Sequence, residues 1–222
     1  MYPSLKTYLP LAAKHAASLR QDRKERLHKL AVEIAVDLNH DQESQLIFVC
    51  THNSRRSHLA HIWAKIMSSH FQLNTIHSFS GGTETTAMHH NTVATLQRAG
   101  CRIRLQSHSV EYNPVYLVSY AEDVDAIPCF SKTYDSPPNP RQNFRAIMTC
   151  SDADENCPIV VGAVARHSLP YEDPKIADKT DLERQTYDER CLQIASEMWY
   201  LMSEIHKLLL PYLLKHLLYC CF

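Results

Sequence analysis

The stretch LIFVCTHNSRRSHLAHIW, Leu46 to Trp63, limits the folds open to this chain more than any other part of it. Leu46 to Cys50 are all apolar, the pattern of a strand buried on both faces, and such strands belong to sheets covered by helices. The polar run Thr51 to Ser57 interrupts the pattern. Leu59, Ile62, Trp63, Ile66 and Met67 then recur at the spacing of one buried helix face. A strand therefore passes into a helix through a short polar loop, with Cys50 at the strand's end. NTIHSFSGG, Asn74 to Gly82, reads as a second strand with a glycine-bearing turn. NTVATLQRAG reads as a second helix, with Val93, Leu96 and Ala99 inward and Gly100 as its C-terminal stop. Strand, helix, strand, helix needs crossover connections and predicts an α/β domain with a parallel sheet.

The 222 residues suffice for one sizeable core. Residues 1–44 read as an added N-terminal helical hairpin, with Leu27, Leu30, Ala31, Ile34 and Leu38 on one stripe and Asp22 with Glu25 as a capping box. The main domain is placed at 45–205, with an irregular insertion at about 105–143 that holds one strand-like run, PVYLVSY, and the proline-rich DSPPNPRQN. FRAIMTC, Phe144 to Cys150, resembles another central strand ending in cysteine, and a long helix starts near Leu182. Residues 206–222 form an apolar tail interrupted by Pro211, Lys215 and His216, too short in its uncharged run to span a bilayer. The expected role of the tail is packing on the domain. The termini are also candidates for homodimer or peripheral membrane contact.

With 23 basic and 24 acidic residues the net charge is -1, so nothing points to nucleic acid and any anion site must be local. The N-terminus lacks the unbroken apolar core of a secretory signal, being interrupted by Lys6, Lys14 and His15. The expected compartment is therefore the cytoplasm, where the eight cysteines would be reduced thiols available for chemistry. No metal and no bound cofactor are expected: Cys150-x6-Cys157 is not a zinc-knuckle spacing, and the fourteen histidines form no ligand set. His58 and His61 lie beside the buried stripe and are expected to face solvent.

Cys50-x5-Arg56 is the informative spacing. A loop leading into a helix N-terminus can turn backbone N–H groups around a tetrahedral oxyanion, and the same field favours a thiolate. Thr51, His52, Asn53, Ser54, Arg55, Arg56 and Ser57 would form that loop, with Arg56 clamping two oxygens, Ser57 donating to the sulfur and Asn53 tying the loop together. Arg55 is expected at the surface or at the substrate rim, since one of two adjacent residues can readily face the concavity. Cys150 follows what reads as a second strand end, on the side where ligand crevices form. SDADEN, between Cys150 and Cys157, reads as a mobile loop that lets the two sulfurs meet, and the pair fits a redox relay better than two inert cysteines. Asp173 in YEDPK is the candidate general acid, with Glu172 as its rival. Pro174 would stiffen the turn, and an apolar approach through Leu169 and Tyr171 would favour the protonated acid.

VCTHNSRRS resembles the phosphate-binding loop of low-molecular-weight protein tyrosine phosphatases and of the thioredoxin-coupled arsenate reductases built on the same fold. SGGTE at 80–84 and YEDP at 171–174 are similar to further stretches of that family, and MTCSDADENCP at 148–158 resembles the reductase branch. The resemblance implies a three-layer fold around a parallel, mostly four-stranded sheet. It also implies a relay in which Cys50 attacks arsenate, Cys150 attacks Cys50, and Cys157 takes over the bond and passes it to thioredoxin or another dithiol. The phosphatase alternative uses Cys50, Arg56 and Asp173 on a phosphate-like ester, with water resolving a phosphocysteine. The chain departs from the pattern at His52, where the family usually has glycine, at Arg55, and at Lys175, where tyrosine phosphatases carry an aromatic residue.

Overall fold

Every apolar run read as a central strand joins one parallel sheet. A computed structural model describes residues 1–156 and 159–219, with side chains for 1–155 and 159–210. The chain runs α1 (Pro3–Ala17), α2 (Gln21–Asn39), β1 (Ser44–Cys50), α3 (Arg56–His70), β2 (Ile76–Gly82), α4 (His90–Arg98) and β3 (Arg102–Leu105). It continues through β4 (Tyr116–Ser119), β5 (Ile127–Cys129), β6 (Phe144–Met148), α5 (Ser151–Asn156), β7 (Ala163–Ser168), a 3-10 turn at Pro174–Ala177, and α6 (Glu183–Tyr219). The main sheet has the order β2-β1-β6-β7, and all three pairings are parallel.

Register decides where the chemistry sits. Cys50 pairs with Gly82, Val49 with Met148, and Met148 with Ser168. The C-terminal ends of all four strands therefore share one edge, the side on which open parallel sheets bind ligands. Cys50, Cys150 and the segment leading to Asp173 all leave the sheet there.

The strands alternate between two cores. Leu46, Phe48 and Ile147 pack with α3 and α6 on one face. Ile47, Val49, Ala146 and Met148 pack with Ala153 of α5 and Val160 on the other. The helical side is the thicker one, because α6 lies against α1, α2, α3 and α4 together. Trp63 of α3 is fully buried there; its indole N–H donates to Cys191 Sγ at 3.2 Å and its ring stacks on Tyr8 of α1.

The N-terminal helices contribute Leu5, Leu9, Leu27, Leu30 and Ile34 to this core. Arg145 of β6 pairs with Asp37 and Glu33 of α2, which fixes the helix to the sheet. The expected capping box is absent. The helix α2 begins at Gln21 after Arg20, so Asp22 lies inside its first turn and receives the Arg20 guanidinium, while Glu25 takes Gln21. A carboxylate there still meets the positive end of the helix dipole.

The region read as irregular holds a second sheet, antiparallel, of order β3-β4-β5. Periodicity failed to reveal β3 and β5 because they are only four and three residues long and β3 is largely exposed. The helix α6 continues through Pro211 to Tyr219. Among the described residues, no helix is long and apolar enough to cross a membrane.

Candidate active site

Cys50 ends β1 with its side chain buried, 3% exposed, and the backbone after it turns sharply. The residue that takes the left-handed conformation is Asn53, at φ 44°. Asparagine enters this region more readily than most residues, and its short amide can bond locally. Here Asn53 Nδ2 donates to Ser57 Oγ at 2.9 Å and its Oδ1 accepts from the backbone N–H of Lys132 at 3.0 Å. Having accepted that bond, Ser57 can direct its own proton toward Cys50 Sγ, 3.1 Å away.

The loop carbonyls are tied outward. Cys50 O accepts from the N–H of Thr83, Thr51 O from Glu84, and Ser54 O from His89. The carbonyl of His52 accepts from the hydroxyls of Thr86 and Ser131. In a planar peptide the N–H points opposite its C=O, so outward carbonyls at successive residues turn the following amides toward the concavity. The helix α3 adds its first-turn amides, and its N-cap residue, Arg55, makes no side-chain cap. Close approach of β2 to this loop requires Gly82: a Cβ there would lie 2.6 Å from Thr51 O and 2.9 Å from Asn53 N.

Both arginines turn inward. Arg56, 7% exposed, donates through NH1 to Tyr171 O at 3.1 Å and through NH2 to Asp173 Oδ2 at 2.7 Å. Its Nε is buried and has no hydrogen-bond partner among the described residues. Arg55, expected at the surface or at the substrate rim, donates to Tyr187 Oη at 2.7 Å and to Asp178 Oδ2 at 3.1 Å, and its side chain is only 12% exposed. These contacts have a topological cause: the segment after β7 folds over the loop and α6 brings Tyr187 up to it, so acceptors more than a hundred residues downstream meet both guanidiniums.

Asp173 stands at the loop, but its surroundings differ from those expected. Leu169 and Tyr171 are buried in the core, and the Asp173 carboxylate meets Arg56, with Arg55 at 3.9 Å and the Lys175 N–H at 3.1 Å. Glu172, its rival, points away to Arg190 at 3.1 Å.

Cys150 is fully buried directly after β6. Its Sγ lies 3.6 Å from Thr51 Oγ1, so the second sulfur borders the residue next to Cys50. The N–H of Ala153 donates to the same sulfur at 3.3 Å. SDADEN forms the short helix α5 in place of the mobile loop read from its polarity. Cys157 lies outside the described residues.

No family model matches the chain. Arsenate reductase of Bacillus licheniformis is 26% identical over 146 residues, 65% of this chain and 84% of that protein. Arsenate reductase 2 of Staphylococcus epidermidis is 25% identical over 131 residues, 58% of this chain and 77% of that protein. Over this length the chain is similar in sequence to these arsenate reductases. Among solved structures, a low-molecular-weight phosphotyrosine phosphatase from Vibrio cholerae aligns over 72% of this chain and 95% of its own, with a TM-score of 0.47 and 16% identity.

The chain buries two histidines that were expected to face solvent. His58 is fully buried and His61 is 8% exposed. Their Nδ1 atoms meet Ser80 Oγ at 3.3 Å and Ser78 Oγ at 3.0 Å. The helix α3 is enclosed on nearly all sides, so its polar stripe has no solvent to face. Burial, with Lys132 nearby, pushes His61 down to about 3 and His58 well below the usual histidine value. The remaining described cysteines sit apart from the site in the core: burial pushes Cys129 up to about 12 and Cys191 to about 11, and raises Cys101 too. Thiols held so are poor nucleophiles.

Thr51, Tyr187, Asp178 and Tyr171 are the site residues that sequence reasoning missed in these roles. No local spacing signals them, since each acts through a contact made by the tertiary fold. A groove of about 520 Å³ runs from the loop rim at His52, Ser54 and Arg55 past His89 and Tyr112 to Lys175.

Proposed function

We propose that this chain reduces arsenate to arsenite with Cys50 as nucleophile and Cys150 as resolving thiol. The observation that carries the reading is the contact of Cys150 Sγ with Thr51, which brings a second sulfur to the loop of the first. The buried Nε of Arg56, without a partner among the described residues, supports the oxyanion part, because a buried N–H without an acceptor is costly unless a ligand supplies one. The relatives from Bacillus licheniformis and Staphylococcus epidermidis, arsenate reductases by name, support the choice of arsenate.

Arsenate would bind with its oxygens on the loop amides of Thr51 to Ser57 and on Arg56. Cys50 sulfur forms a bond to arsenic as one oxygen leaves as water, Asp173 delivering the proton. Cys150 sulfur then attacks Cys50 sulfur. The S–S bond forms, the S–As bond breaks, and its electron pair stays on arsenic, which leaves as arsenite. Cys157 would attack Cys150, freeing the Cys50 thiolate and leaving a Cys150–Cys157 disulfide. Thioredoxin or another dithiol protein would reduce that bond, being oxidised in turn.

Single-turnover arsenite release followed by disulfide mapping tests the scheme. Wild-type protein is expected to release about one arsenite per Cys50 and to accumulate the Cys150–Cys157 disulfide. Cys50→Ser should release none, and Cys157→Ser should stop at Cys50–Cys150. Full arsenite release by Cys150→Ser, or aryl phosphate hydrolysis that survives loss of both later cysteines with no arsenite formed, would sink the relay in favour of phosphomonoester hydrolysis.

A further inference from the structure

We infer that the N-terminal helices position the active-site loop through Arg23, which supplies the countercharge of a buried carboxylate that holds Tyr171 and, through it, Arg56. The inference rests on the oxyanion reading only where ligand binding is read out.

The chain of contacts crosses four elements. Arg23 of α2 donates through Nε to both carboxylate oxygens of Glu197 in α6, at 2.9 Å each. Glu197 is 1% exposed, and Arg23 is its cationic partner among the described residues. Tyr171 donates its hydroxyl to Glu197 Oε2 at 2.8 Å, and the Arg23 guanidinium lies over the Tyr171 ring, 4.8 Å from its centroid. The backbone carbonyl of that same tyrosine accepts from Arg56. Two residues on, Asp173 takes the other end of the Arg56 fork. Both protein bonds that orient the loop arginine thus come from a three-residue segment whose first residue, Tyr171, is held by Glu197.

A carboxylate this deeply buried is costly without a cation and full hydrogen bonding. Arg23 and Tyr171 provide both, aided by Gln193 Nε2 at 3.3 Å from Oε1. Burial and the neighbouring carboxylate push the Tyr171 phenol far up, which keeps its proton in place as the donor to Glu197. A helix pair that served only to cover the core would need nothing but its apolar stripe. Here α2 sends a cation inward to a group touching the active-site segment. Arg20, at the start of the same helix, shows the contrast: it is largely exposed and pairs with Asp22.

The test uses the full chain with Arg23→Gln, Arg23→Lys, Tyr171→Phe and, as control, Arg20→Gln. Hydrogen exchange is followed at the backbone amides between Leu169 and Ile176, and protection of Cys50 from iodoacetate by inorganic phosphate is followed by mass spectrometry. Arg23→Gln should speed exchange in that segment by about tenfold while β1 and β6 keep wild-type protection. Phosphate should protect Cys50 several-fold less well. Arg23→Lys should recover part of both effects, Arg20→Gln should show neither, and Tyr171→Phe should match Arg23→Gln with little added by combining them. Wild-type exchange between Leu169 and Ile176 in Arg23→Gln or in Tyr171→Phe overturns the inference. So does acceleration spread evenly over the whole protein, which would mark a merely structural role. Should Arg23→Gln fail to fold, Tyr171→Phe alone decides. If exchange changes as expected but phosphate protects Cys50 in no protein, wild type included, the oxyanion reading fails and the positioning role stands.

Discussion

Asn53 is the residue on which the loop turns, because it combines a left-handed backbone with two side-chain bonds, one to Ser57 and one to the Lys132 backbone. Asn53→Ala should lose about 1–3 kcal/mol of stability, through strain at the positive φ and through the buried donor and acceptor left unpaired. Urea unfolding measures it, and a loss below about 0.5 kcal/mol would contradict the assigned role. His58 and His61 make a pH prediction. Both are held neutral in the fold, His61 down to about 3, against 6.5 for an unconstrained histidine. Below pH 6.5 the unfolded chain binds protons that the fold refuses. Stability contributed by the neutral histidine is therefore complete above that pH and falls as the pH drops toward 3, by up to about 1.4 kcal/mol per pH unit for each ring. His61→Gln should flatten the dependence of urea midpoint on pH between 7 and 4. An unchanged slope would show that other groups carry the acid response. These histidines were misread for a plain reason: periodicity marks one buried face, and α3 is buried on nearly all sides.

At the scale of elements, β1, its loop and α3 were legible because each is specified within about twenty residues, by an apolar run, a polar break and a 3.6-residue stripe. The same holds for α4 and its terminator. Gly100, read as the stop of that helix, does have a left-handed backbone, at φ 112°. It also does something the helix pattern does not announce: a Cβ there would lie 2.7 Å from the backbone N of Leu5, so the glycine lets α1 dock. Ser4 Oγ donates to the Gly100 carbonyl at 3.0 Å across the same contact. Gly100→Ala should cost roughly 1–3 kcal/mol from backbone strain and displaced packing. The expected signature is a lower urea midpoint and greater exchange in α1. A midpoint equal to wild type would mean that α1 docks without this close approach. β3 and β5 were illegible because three or four residues, partly exposed, carry too little pattern to separate a strand from a loop.

At the scale of the whole molecule, α6 is the common support for α1, α2, α3 and α4, and residues 1–44 are integral to the core. Their removal would strip the apolar cover from α6 and leave Glu197 and Arg145 buried without the cation and carboxylates that now face them. Breaking a buried pair from one side typically costs about 3–5 kcal/mol, a large part of a domain's total stability. A protein lacking residues 1–43 should therefore fail to unfold cooperatively on heating. A sharp transition near the wild-type temperature would show that the remainder folds alone.

Chain order settles the local pieces of this protein, and with them a polar loop beginning at a cysteine, because strand, polar break and helix depend on neighbours a few residues apart. It also proposes Cys50, Arg56, Cys150 and Asp173 as candidates by type and position. Which of these groups meet is decided by the parallel register that brings four strand ends to one edge. That register sets Cys150 against Thr51 across a separation of 99 residues, and the path of α6 brings Tyr187 to Arg55 across 132. Contacts of such span follow from sheet order and from the path of α6, and neither is encoded in the periodicity of any one segment.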